Sequence, residues 1–228
     1  MKPARGISLF VKALFFSTLI VFVFSCDNTN EKAVNEGVIE YDAKVVDYNH
    51  PLAELAPGSA TLKFKDDKFM MEMTAMGMFK NMYICNLQNK TLTQMVNFLD
   101  MRQASVDSES VILKENEGYK LIIEETSDEK TIAGYKCKRI KVKKVSNPGV
   151  TFDAYYTTDM GTENVNELSP YSGVKGMLMQ YRLSKMGLEM EFVAKSVKKE
   201  TIPSKAFEIP GDFKIISKQQ MQEFFNQF

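Results

Sequence analysis

From Gly37 onward, apolar and polar residues alternate in short runs, and turn residues interrupt them about every ten positions. Period-two alternation puts one set of side chains on each face of a pleated strand. Repeated at this spacing, it restricts the chain to a β-rich architecture. Strands are expected at 37–46, 61–65, 69–73, 81–87, 91–96, 119–125, 135–145, 150–158, 177–183 and 188–197. Asp66-Asp67-Lys68, Gln88-Asn89-Lys90, Asn147-Pro148-Gly149 and Lys185-Met186-Gly187 supply the turns. His50-Pro51 and Pro57-Gly58 bound a loop or short helical turn at 52–56. Residues 98–114 fit neither period and are helix or loop, with Asp107-Ser108 as a cap; 164–169 are helix or loop as well. Residues 126–130 read as a polar turn, and 202–216 as extended closing segments. A final helix begins at the cap Ser217, with Met221, Phe224, Phe225 and Phe228 as its apolar stripe.

The N-terminus has a different grammar. Lys2 and Arg5 precede an apolar run, Ala13 to Phe24, which ends at Ser25-Cys26-Asp27. A basic region, an apolar region and a small residue before a cut make a signal peptide. Twelve helical residues reach roughly 18 Å, short of a hydrocarbon core of about 30 Å, so a membrane span is disfavoured. A cysteine directly after the cut resembles the lipobox of bacterial lipoproteins. That resemblance implies cleavage after Ser25 and a diacylglycerol thioether on Cys26, which anchors the chain to a membrane through acyl chains. A plain secretory signal is the alternative. The organisation expected is signal peptide 1–25, polar tether 26–36 and one domain, 37–228. No Pro-rich or Ser-rich linker divides it.

Removing the signal takes Lys2, Arg5 and Lys12, so 29 basic residues become 26 against 29 acidic, a formal charge of −3. That charge is no footprint for nucleic acid. An exported chain meets an oxidising compartment, so Cys85 and Cys137 either pair or stay buried as free thiols.

Catalytic and metal chemistry have little to work with. His50 is the one histidine, with no partner at triad or ligand spacing, and no nucleophile elbow, zinc motif, P-loop or dinucleotide motif occurs. Glu124-Glu125 and Asp128-Glu129 read as solvated carboxylates beside a turn. The run from Phe69 to Phe79, FMMEMTAMGMF, offers thioethers for Cu(I) but no Cys or His to complete a site. The basic strand from Lys136 to Lys144 reads as a solvated face or a guarded edge. The expectation is therefore a protein with no catalytic residues, no metal and no cofactor.

Three stretches resemble one another's counterparts in a known family. Ile132-Ala133-Gly134-Tyr135-Lys136-Cys137-Lys138, Val174-Lys175-Gly176-Met177-Leu178-Met179-Gln180-Tyr181, and the closing run from Ile202-Pro203 to Ile209-Pro210-Gly211-Asp212-Phe213 are similar to motifs of exported Bacteroidetes domains of unknown function. Those domains share the fold of the lipoprotein carrier LolA and its receptor LolB. The resemblance implies a β-rich α+β fold: a strongly curved antiparallel sheet, an incomplete barrel, with helices over its concave face and a C-terminal helix. It also implies that the concave face takes acyl chains. Phe64, Met71, Met73, Met78, Met177, Met179, Met190 and Phe192 are the candidate groove, with Phe69, Met76 and Phe79 beside them. The same residues would equally make a solid core. The function expected is a lipid-anchored, non-enzymatic envelope protein that binds an apolar ligand. The alternative is a structural or protein-interaction lipoprotein with a filled core. The outer membrane is favoured over the inner, with the periplasmic or surface face left open.

Overall fold

The computed structural model describes residues 34–50, 53–161, 163–185 and 188–226. The signal peptide, Cys26 and most of the tether lie outside the described residues, as do Pro51, Leu52 and the hairpin residues Met186-Gly187. Residues 32–228 form one compact unit.

The expected alternation becomes β1 (Glu36–Val45), β2 (Ser59–Lys65), β3 (Lys68–Ala75), β4 (Phe79–Asn86) and β5 (Thr91–Phe98), successive antiparallel neighbours. β6 (Met101–Ser108) extends the meander and leads straight into helix α1 (Glu109–Asn116). The second half contributes β7 (Leu121–Ile132), β8 (Tyr135–Lys144), β9 (Thr151–Thr157), β10 (Met177–Lys185) and β11 (Leu188–Lys198). A two-residue strand, β12 (Lys214–Ile215), and helix α2 (Lys218–Phe225) close the chain.

All twelve described strands join one open sheet in the order β12-β6-β5-β4-β3-β2-β1-β11-β10-β9-β8-β7. β12 pairs with β6 in parallel and every other pair is antiparallel, so the sheet is mixed. Closure between the halves runs through β1 and β11, whose register slips between Glu40 and Tyr41. Such an irregularity adds twist.

Two expectations need correction. Residues 101–108 are a strand, not helix or loop, because Gln103, Ser105 and Asp107 alternate with Ala104 and Val106 in register with β5. Residues 126–130 are not a turn. β7 runs on to Ile132, with its register slipping between Glu125 and Glu129. As an outermost strand that pairs only with β8, it carries charged side chains in solvent, a common protection for a sheet edge.

The two faces of the sheet are covered differently. One face of β3–β6 presents Met70, Met82, Ile84, Met95 and Ala104, packed beneath Phe207, Ile209 and Phe213 of the closing segment. An Arg102–Asp212 ion pair holds that segment to β6. The opposite face carries the main core, from Ile39 and Tyr41 through Ile140 and Val142 to Met179 and Phe192. The Tyr41 hydroxyl donates to the Leu178 carbonyl at 2.8 Å, tying β1 to β10. Gly176 enters β10 at φ +142°, where a Cβ would collide with the Thr157 carbonyl oxygen, so only glycine suits the position.

Candidate functional site: an apolar cavity with a polar end

The inward side chains of adjoining strands stand in register. Phe69, Met71, Met73 and Ala75 of β3 face Cys85, Tyr83, Asn81 and Phe79 of β4. Those in turn face Leu92, Gln94, Val96 and Phe98 of β5. Across the sheet, Tyr181 and Leu183 of β10 face Phe192 and Met190 of β11. Together with Tyr41 and Leu62, these positions bound a cavity of about 860 Å³, except Val96, which packs against α2 instead. Ligand sites of roughly 300–1,000 Å³ are typical for small molecules. Ile112 of α1, Met221 and Phe225 of α2, and Leu168 and Tyr171 complete the wall. The loop that supplies Leu168 and Tyr171 is pinned by Asn166, whose amide donates to the Val174 and Gly176 carbonyls at 2.8 Å each.

Of the eight groove candidates, Met71, Met73, Met78, Met177, Met190 and Phe192 line the cavity. Phe64 and Met179 do not; both are wholly buried in the solid core. Phe69, Met76 and Phe79 line it as well. Met76 is 68% exposed and Met78 51%, so the β3–β4 turn marks a mouth open to solvent. The neighbouring β5–β6 turn adds exposed Leu99 and Met101. Both tips carry an apolar residue at positive φ, Met76 at 51° and Leu99 at 52°.

The lining is not uniformly apolar. The Gln94 amide donates to the Tyr83 hydroxyl at 3.1 Å and to the Asn81 carbonyl at 3.4 Å, and the Asn81 amide donates to the same hydroxyl at 3.0 Å. Burial pushes the Tyr83 phenol far above its ordinary range. Beside this trio, Lys218 of α2 donates to Asp107 of β6 at 2.6 Å and to Glu115 of α1 at 2.9 Å. Burial pulls the Lys218 ammonium down, but the two carboxylates outweigh it and hold it above its usual value. α2 starts in a capping box, with Ser217 accepting from the Gln220 N–H, and buries Met221 and Phe224 against Val96. Sequence reasoning missed the polar end. Its signal is that Asn81 and Gln94 occupy in-phase, inward positions of otherwise apolar strands.

Cys85 and Cys137 are both free, so the pairing alternative is not realised. In the sheet order six strands separate β4 from β8. Cys85 lines the cavity, where burial pushes its thiol up to about 12. Cys137 is in the core and donates to the Tyr135 carbonyl. The carboxylates expected to be solvated are exposed, and three of them also have partners: Glu129 pairs with Lys136 and Asp128 with Arg139 of β8, and Glu125 accepts from Tyr156 of β9. Among the described residues no group of three or more His, Cys, Asp or Glu side chains could hold a metal. No described helix is long and apolar enough to cross a membrane.

No family model matches the chain, and no curated protein is similar to it. Among solved structures, PNGF-II in the C2 space group overlays with a TM-score of 0.51 at 17% identity, over 83% of this chain and 32% of that one. MucB overlays with a TM-score of 0.33 at 9% identity, over 80% of this chain and 60% of that one. This chain thus spans about a third of PNGF-II, and that likeness concerns the fold alone.

Proposed function

We propose that this is a lipid-anchored protein of the bacterial cell envelope that holds an apolar ligand, such as an acyl chain, between a curved sheet and its helices, without enzymatic chemistry. The observation that carries this is the cavity itself. One face of seven strands (β1–β5, β10 and β11) lines a single space together with α1 and α2. A flat sheet cannot surround a space that way, which supports a strongly curved, incomplete barrel of the LolA/LolB type with helices over its concave side. A ligand site needs an apolar lining with few polar groups, and this cavity combines methionine and aromatic walls with one polar end. Methionine adapts its shape to varied apolar partners. The Cys26 pattern supports the anchor, since two or more acyl chains hold stably at a membrane. The outer membrane is the favoured site.

Native mass spectrometry of the purified domain, residues 27–228, alongside titration with the uncharged dye N-phenylnaphthylamine, tests the ligand. Co-purified lipid or saturable dye fluorescence is expected. Absence of both signals would favour the alternative, a structural or protein-interaction lipoprotein that holds no ligand. Mass spectrometry of the membrane fraction tests the anchor: Cys26 carries a diacylglycerol adduct, and an unmodified Cys26 overturns it.

A further inference from the structure

We infer that the polar end of the cavity selects an amphiphile whose head is uncharged and hydrogen-bonding, a long-chain alcohol or amide, over a fatty-acid anion of equal length. The inference rests on the reading that the cavity binds an apolar chain, and it adds the chemistry of the head.

Lys218 is the one cation among the described lining residues, and it is already committed to Asp107 and Glu115. One positive charge against two negative leaves this end at −1. Asp107 is 3% exposed, so its charge is poorly screened by water. A carboxylate head entering here would shed its hydration, meet net negative charge and find the ammonium occupied. An alkylammonium head would be drawn by the same negative charge, but it would have to displace Lys218 from its two carboxylates and would lose strong hydration. A hydroxyl or amide has neither penalty. It finds neutral donors and acceptors in the Asn81, Tyr83 and Gln94 trio. Ser105, wholly buried and in register with Gln94 on the next strand, has a hydroxyl oxygen with no hydrogen-bond partner. Ser105 is not itself a lining residue, so it stands behind the trio and not in the cavity wall.

The test is displacement of N-phenylnaphthylamine by dodecanol, dodecanoate and dodecylamine at pH 8. Dodecanol displaces the dye at about a tenfold lower concentration than dodecanoate, which corresponds to ~1.4 kcal/mol. The double variant Asp107→Asn/Glu115→Gln leaves Lys218 unpaired and turns the end to +1, so dodecanoate draws level with dodecanol or overtakes it. Should that variant unfold, Glu115→Gln alone, which keeps the Asp107–Lys218 pair, narrows the gap. Equal displacement by alcohol and anion in the native protein, or tighter binding of the amine than of the alcohol, overturns the selectivity and leaves the apolar cavity standing. Displacement by none of the three overturns both.

Discussion

Lys218→Met removes the ammonium that joins β6, α1 and α2. Its Nζ lies 2.6 Å from Asp107 and 2.9 Å from Glu115, and their side chains are 2% and 36% exposed against 25% for Lys218. Breaking a fully buried pair costs about 3–5 kcal/mol, whereas an exposed pair is worth about 0–1 kcal/mol. This pair lies between those limits, because one carboxylate is buried and the other is wet. The expected loss is about 2 kcal/mol. For a domain of this size each kcal/mol moves the midpoint by roughly 2–4 °C, so Tm falls by about 4–8 °C in thermal unfolding followed by circular dichroism. Lys218→Met/Asp107→Asn removes both charges and recovers more than half of that loss. Because the folded ammonium is held above its usual pKa, its stabilisation is complete below the unfolded value near about 10.4. It fades as pH rises through the folded value. The gap between native protein and variant therefore persists to pH 10 and shrinks above it. A Tm change under 1 °C, or a double variant no more stable than the single one, refutes the linkage.

Thiol chemistry gives a second readout: Cys85, raised to about 12 by burial, alkylates slowly at pH 8 and more slowly still when the cavity is loaded, whereas Cys137 reacts only on unfolding. A disulfide mass in non-reduced peptide maps would contradict that. Ser217→Ala removes the α2 capping box and costs about 1 kcal/mol, visible as faster amide exchange in the first turn of α2. Unchanged exchange there would mean that packing alone holds the helix. Gly176→Ala forces a Cβ onto the Thr157 carbonyl and strains a backbone at φ +142°, so its soluble yield and Tm both fall sharply. A native-like Tm would show that the entry to β10 can shift.

Strands one face of which is apolar could be read directly from the sequence. In β3, Met71 and Met73 alternate with residues of the other face, and turn residues mark both ends. β6 could not be read this way, because its two faces reverse the usual contrast. Gln103, Ser105 and Asp107 face the polar side of the interior, while Ala104 is covered by Phe213 and its neighbours from more than a hundred residues downstream. β7 was hidden for a different reason: an edge strand gains protection from charge, so Ser127-Asp128-Glu129-Lys130 looks like a turn. For the cavity, in-phase methionines pointed to the wall but could not separate Met71, which lines it, from Met179, which fills the core. That distinction depends on how the two halves of the sheet meet across β1 and β11. The polar end was less legible still, since Asp107, Glu115 and Lys218 converge from three separate elements.

The central claim is that the space between sheet and helices is an accessible binding site, and dye titration of a cavity-filled variant tests it most directly. Leu183→Trp/Met190→Trp adds bulk on β10 and β11, away from the β4 and β5 positions of Asn81, Tyr83 and Gln94. Native protein binds N-phenylnaphthylamine saturably, and the filled variant, with an unchanged circular dichroism spectrum, loses at least tenfold in affinity. Equal binding by both proteins, or none by the native one, would contradict the account.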